Sequence, residues 1–152
     1  MPAAKSIPDG YHAVTPYITV QDAEKLIDFL KKAFDAKETV RMSMSDGTIA
    51  HAEVRIADYV IMLSGAIDEG YKPMPAGIHL YLEDCNAMYK RALEAGATSV
   101  MQPTDMFFGE RMADVKYQFG NRWYIGTHIE DLSQEEISKR MIEYEKKNTK
   151  EG

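Results

Sequence analysis

A chain of 152 residues with 45% hydrophobic and 28% charged residues has the makeup of one globular domain with a sizeable core. Its formal net charge of −6 argues against nucleic acid and anionic membrane surfaces, which need a clustered positive field. No apolar run approaches the roughly 18–20 residues of a membrane span, and the N-terminal MPAAKSIPDG lacks a signal-peptide core. The single cysteine, Cys85, has no partner for an internal disulfide, so a reducing cytoplasm is the expected compartment.

Residues 1–11 carry Pro2, Pro8 and Gly10 and read as a loose arm. Residues 12–20 are β-rich, with Pro16 marking an edge or bulge. Asp22 is placed to cap a helix whose stripe is Leu26, Ile27, Leu30, Ala33 and Phe34. Strands at 38–44, 49–56 and 59–64 follow, joined by the turns Ser45-Asp46-Gly47 and Ala57-Asp58. After a Gly- and Pro-containing loop the order repeats. A strand at 77–82 leads to Asp84, which caps a second helix ended by Gly96. Strands at 99–102, 110–119 and 122–129 complete the half. A last helix, 133–148, opens with the capping box Ser133…Glu136 and carries Ile137, Met141 and Tyr144 on one face. Its tail, from Lys146 and Lys147 on, is expected to fray.

The pattern is therefore βαβββ, twice, with a constant offset of 62. Asp22 maps to Asp84, Leu26 to Met88, Leu30 to Ala92, Thr15 to Gly77 and Met62 to Tyr124. A repeat of this kind fixes the fold class before any single motif does. The class is α+β, with modules 12–65 and 77–130 in one domain spanning 1–132, and a C-terminal helix and tail over 133–152.

Three segments carry a family resemblance: PYITVQDAEKLIDFLKKAF, AHAEVRIADYVIMLS and FGERMADVKYQFGNRWYIGTHIEDLSQEE. With the paired modules and the Gly-Asn-Arg turn before the last strand, they resemble the vicinal-oxygen-chelate superfamily of glyoxalase I, extradiol dioxygenases and bleomycin-resistance proteins, and within it the PhnB-like branch. The resemblance covers about residues 12–140. It implies two concave mixed sheets around a cavity, with up to four metal ligands on the first and last strands of each module. Matched strand by strand, those positions are Thr15, Met62, Gly77 and Tyr124. None is an imidazole or carboxylate, the donors a divalent metal prefers. The scaffold is kept while the usual ligand set is missing, so no metal and no cofactor are expected.

Strand parity sorts the remaining candidates. Thr15 and Tyr17 share the cavity face, as do Gly77, His79 and Tyr81, and Arg122, Tyr124, Gly126 and His128. His51, Glu53 and Arg55 face the cavity or solvent. His51 and Glu53 form either a rebuilt metal or general-base site with His79 and His128, or a hydrogen-bonded pair on a wet sheet face. His128 sits beside acids that it is expected to cap or pair, and His12 is expected to be exposed. The ten methionines serve as adaptable pocket walls or as ordinary core filling. The segment 106–109 is a pocket lid or, more in keeping with its sequence, an anchor for the last helix or a second subunit. Cys85 lacks any supporting nucleophile motif.

The expected function is a metal-independent small-molecule-binding protein. Thr15, Tyr17, His51, Glu53, Met62, His79 and Tyr124 line its site, no catalytic residue is assigned, and the chain forms a homodimer. The alternative is a lyase, isomerase or dioxygenase with a metal site rebuilt from other residues.

Overall fold

The computed structural model describes residues 4–149. Two four-stranded mixed sheets carry the repeat. The first contains β1 (Tyr17–Val20), β2 (Lys37–Ser43), β3 (Ile49–Ile56) and β4 (Tyr59–Gly65), in the order β1-β4-β3-β2. The second contains β5 (Gly77–Tyr81), β6 (Thr98–Met106), β7 (Glu110–Lys116) and β8 (Arg122–His128), in the order β5-β8-β7-β6. In each sheet the first and last strands of the module run parallel and the rest antiparallel. Helix α1 (Ala23–Phe34) joins β1 to β2, and α2 (Cys85–Glu94) joins β5 to β6.

Both helices start on the predicted caps. Asp22 accepts from the Lys25 amide at 3.1 Å and Asp84 from the Ala87 amide at 3.0 Å. Helix α1 ends on Asp35 in the left-handed region. Arg91 on α2 reaches across to that residue at 2.7 and 2.8 Å and to the Lys32 carbonyl at 2.9 Å, tying the two helices together.

The core lies where α1 and α2 meet the sheets. Leu26, Ile27, Leu30 and Ala33 of α1 are fully buried, against Ile18, Leu63, Ala52 and Val54 of the first sheet. Trp123 and Ile125 of β8 point to the same core from the second sheet. Phe29 of α1 stacks on Tyr117 at 4.1 Å between ring centroids and lies 6.3 Å from Trp123. Contact between the halves thus runs through the helix layer, and each sheet turns its opposite face outward. That parity puts Trp123 inward and Tyr124 outward.

Several boundaries differ from expectation. β1 begins at Tyr17, because Pro16 has no N–H to give the ladder; its carbonyl accepts from Met62 at 3.0 Å instead. β6 runs on to Met106, past the expected end at Gln102, and Pro103 falls in an irregularity between Met101 and Thr104. The arm is not loose at its C-terminal end. His12 stacks on Tyr59 with centroids 4.5 Å apart, and Arg55 donates to the Gly10 carbonyl at 3.2 Å. Residues 1–3 of that arm lie outside the described residues.

Helix α3 (Gln134–Thr149) stays helical through Lys146, Lys147, Asn148 and Thr149, where a frayed tail was expected; residues 150–152 lie outside the described residues. Ser133 caps it by accepting from the Glu136 amide at 3.1 Å. The Glu136 carboxylate pairs forward with Arg140 at 3.0 Å rather than completing a capping box. Phe107, in the segment expected to act as an anchor, meets Tyr144 of α3 at 5.2 Å, and its carbonyl accepts from Arg140 at 3.1 Å. The helix buries none of its own residues completely, and Met141 and Ile142 are exposed.

The turn before β8 explains its Gly-Asn pair. Gly120 has φ of 87°, a value only glycine adopts freely. Asn121 is wholly buried, and its Oδ1 accepts from the Ala76 amide at 2.8 Å, fastening the turn to the start of β5. Replacing Asn121 by alanine orphans that amide and is expected to cost about 1–3 kcal/mol. Urea unfolding of the variant checks it.

Candidate functional site

The outer faces carry the predicted residues, in a register the sequence resolved only in part. Tyr17 stands opposite Met62, and His79 stands opposite Tyr124. Both pairs obey the offset of 62. Thr15 lies before β1, where its hydroxyl reaches only the His12 carbonyl at 3.5 Å, and Gly77 stands opposite Arg122. The residues beside Met62 and Tyr124 are therefore Tyr17 and His79.

On the first sheet the structure brings His51, Glu53, Tyr17 and Met62 together. Glu53 lies two residues beyond His51 on β3 and stands opposite Met62, its cross-strand partner in β4. Only 7% of Glu53 is exposed, so its charge must be held by hydrogen bonds. His51 Nε2 contacts Glu53 Oε2 at 2.8 Å, and the Tyr11 hydroxyl donates to Oε1. Burial pushes the Glu53 carboxyl up, but the bonds from Tyr11 and His51 outweigh it and hold the pKa below the usual carboxylate value. The Tyr17 ring lies 5.8 Å from His51 and 6.3 Å from Tyr71. Tyr11 was not singled out in the sequence, because nothing local marks an arm residue that folds back on a strand 42 positions away.

The second sheet holds a matching carboxylate. Asp114 stands opposite Tyr124 as Glu53 stands opposite Met62, and it is equally buried at 7% exposure. Arg122 donates to it through Nε at 2.9 Å and through Nη2, and also lies 5.6 Å from the Tyr124 ring centre. The offset here is 61, because the turn from β7 to β8 has one residue more than that from β3 to β4. A constant offset of 62 points to Val115 and misses Asp114.

At the far end of this face Tyr81 donates to Glu110 at 2.6 Å. His128 bridges Asp131 at 2.7 Å and Glu110 at 3.4 Å. Its bond to Asp131, helped by Glu110, raises its pKa above the ordinary imidazole value. This is the predicted pairing with acids. His79 stays 4.5 Å from Tyr81 and is not brought to His51; the two sit on different sheets.

Cys85 is 2% exposed, with its thiol donating to the Ile125 carbonyl at 3.3 Å. Burial pushes the thiol's pKa up, which suppresses the reactive thiolate. Under native conditions Cys85 is expected to resist an aromatic disulfide reagent and to react fully in denaturant, as absorbance of the released thiolate would show.

The family profile described as Glyoxalase/Bleomycin resistance protein/Dioxygenase superfamily matches residues 11–125. The chain belongs to that superfamily. An uncharacterized protein of Mycobacterium bovis is 37% identical over 139 residues, covering 85% of this chain and 91% of its own. Among solved structures, TioX from Micromonospora sp. ML1 aligns with a TM-score of 0.63 at 19% identity, over 77% of this chain and all of that one. A PhnB protein from Bacillus cereus, titled a putative 3-demethylubiquinone-9 3-methyltransferase, aligns at 0.59 and 14% identity, over 76% and 99% of the two chains. At such identities the structural likeness shows the fold.

The residues present do not fit the metal that the superfamily resemblance implies. At the paired positions stand two tyrosines, a thioether and one imidazole. Among the described residues no three His, Cys, Asp or Glu side chains converge as a ligand group. The buried carboxylates Glu53 and Asp114 are already engaged by their neighbours.

Proposed function

We propose that this superfamily member is a metal-independent small-molecule-binding protein whose ligand lies against the outer sheet faces. The observation that carries the reading is the pairing Tyr17–Met62 and His79–Tyr124, adaptable and aromatic side chains in register around carboxylates locked by hydrogen bonds. Tyr17, His51, Glu53 and Met62 form the wall on the first sheet, and His79 and Tyr124 the wall on the second. Thr15 borders the first wall.

The helix layer between the sheets suggests how a cavity closes. The outer faces leave Tyr17, Met42 and Tyr81 exposed at 38%, 55% and 63%. A second copy of the chain, laid face to face, covers these side chains and encloses the ligand. The reading is thus of a homodimer, working in the cytoplasm; no helix among the described residues is long and apolar enough to cross a membrane.

A thermal-shift screen of the untagged protein against small molecules, run with and without a chelator, tests the proposal. At least one compound is expected to raise the unfolding midpoint equally in both conditions, with light scattering giving twice the 17.2 kDa of one chain. A shift that vanishes with chelator favours the enzyme with a rebuilt metal site.

A further inference from the structure

The outer face of the second sheet differs from the first in being cleared of side chains beneath its rings. A Cβ on Gly126 would come within 3.0 Å of His79 Cε1, and one on Gly77 within 3.0 Å of Tyr124 Cε2. Neither glycine has a φ that demands glycine, so these positions keep space rather than backbone freedom. The missing side chains let His79 and Tyr124 lie down across the strands. Arg122, held by Asp114, closes the Tyr124 end of the row. His79 and Tyr81 remain as its open part, with ring centres 4.5 Å apart and ring planes tilted by 47°.

Tyr81 is 63% exposed, yet its hydroxyl is fixed on Glu110, which is only 7% exposed. An exposed ring tethered to a buried carboxylate is a pre-positioned contact surface, with little ordering left to do when something binds. The charged side chains of β8 itself are already paired. Arg122 faces Asp114, and His128 faces Glu110 and Asp131. A π-system stacks on the rings without disturbing these pairs. Residues two apart on a strand are about 7 Å apart and neighbouring strands about 4.8 Å, so two or three fused rings lying on one of these side chains reach the edge of the other.

We propose that the β5–β8 face is a stacking site for a flat aromatic ligand, with one of the His79 and Tyr81 rings meeting it face-on and the other edge-on, and with Gly126 and Gly77 as the residues that clear the floor. This rests on the ligand-binding reading above and names the class of ligand.

The test uses the fluorescence anisotropy of 2-aminoacridone, a neutral three-ring probe, titrated with the full chain. Saturable binding is expected. Gly126→Val and Tyr81→Ala are expected to weaken it at least tenfold, while Tyr81→Phe, which keeps the ring, stays within about threefold. Unfolding midpoints of the variants identify any that fail to fold, and Tyr81, being exposed, keeps the test valid if Gly126→Val does. Binding unchanged in Gly126→Val and Tyr81→Ala overturns the site, as does an equal loss in Tyr81→Phe and Tyr81→Ala. Absence of probe binding while other compounds stabilise the protein overturns the aromatic class and leaves the ligand-binding reading intact. If no compound stabilises the protein, both fail.

Discussion

Trp123→Ala is expected to destabilise the protein by about 3–5 kcal/mol, the usual cost of emptying a large aromatic site in a packed core. Trp123 is fully buried, with Phe34 at 5.8 Å and Phe29 at 6.3 Å between ring centres. Those phenylalanines belong to α1, in the first module, so the indole is shared by both halves. Removing it opens a cavity that neither half can collapse alone, since each is held by its own sheet. Against a typical total of roughly 5–15 kcal/mol, this leaves a marginal fold. Urea unfolding followed by circular dichroism gives the number. A loss under about 1 kcal/mol would mean the modules do not depend on their shared layer. The neighbouring Tyr124→Ala, on the outer face, is expected to cost much less.

Glu53→Ala is the second large effect. It removes the common acceptor of His51 and Tyr11 and leaves two donors on a part-buried face, at a cost of about 1–3 kcal/mol. It also removes one of the contacts that hold the segment around Tyr11 on the sheet, leaving the His12–Tyr59 stack and the Arg55–Gly10 bond. The pH dependence has a definite sign. The folded-state pKa of Glu53 is depressed, so its contribution is present above the unfolded value, about pH 4.3, and is lost as pH falls through the lower folded value. Wild type is expected to lose stability over that acid window more steeply than Glu53→Gln, which has no proton to gain. Parallel acid-side curves for the two proteins would show that Glu53 is not the titrating group.

The fold was legible because its signals are periodic. Asp22 and Asp84 cap helices at one spacing, and the apolar stripe of α1 reads directly at Leu26, Ile27, Leu30 and Ala33. Register was legible to within two residues: the offset found Met62 and Tyr124 but matched them with Thr15 and Gly77, since Pro16 delays the first strand. The site's polar contacts were less so. His51 and Glu53 announce themselves at i, i+2 on one strand. Tyr11 and Asp114 do not, because one depends on the path of the arm and the other on a single extra residue in a turn. Long-range hydrogen bonds leave no period in the sequence.

On the function proposed above, the superfamily scaffold is kept here while its metal is not needed. Elemental analysis of untagged protein, purified without chelator, tests this most directly. Only substoichiometric traces of zinc, iron, manganese and nickel are expected, unchanged when ligand is bound. One equivalent of any of them per chain, removed together with ligand binding by a chelator, would contradict it.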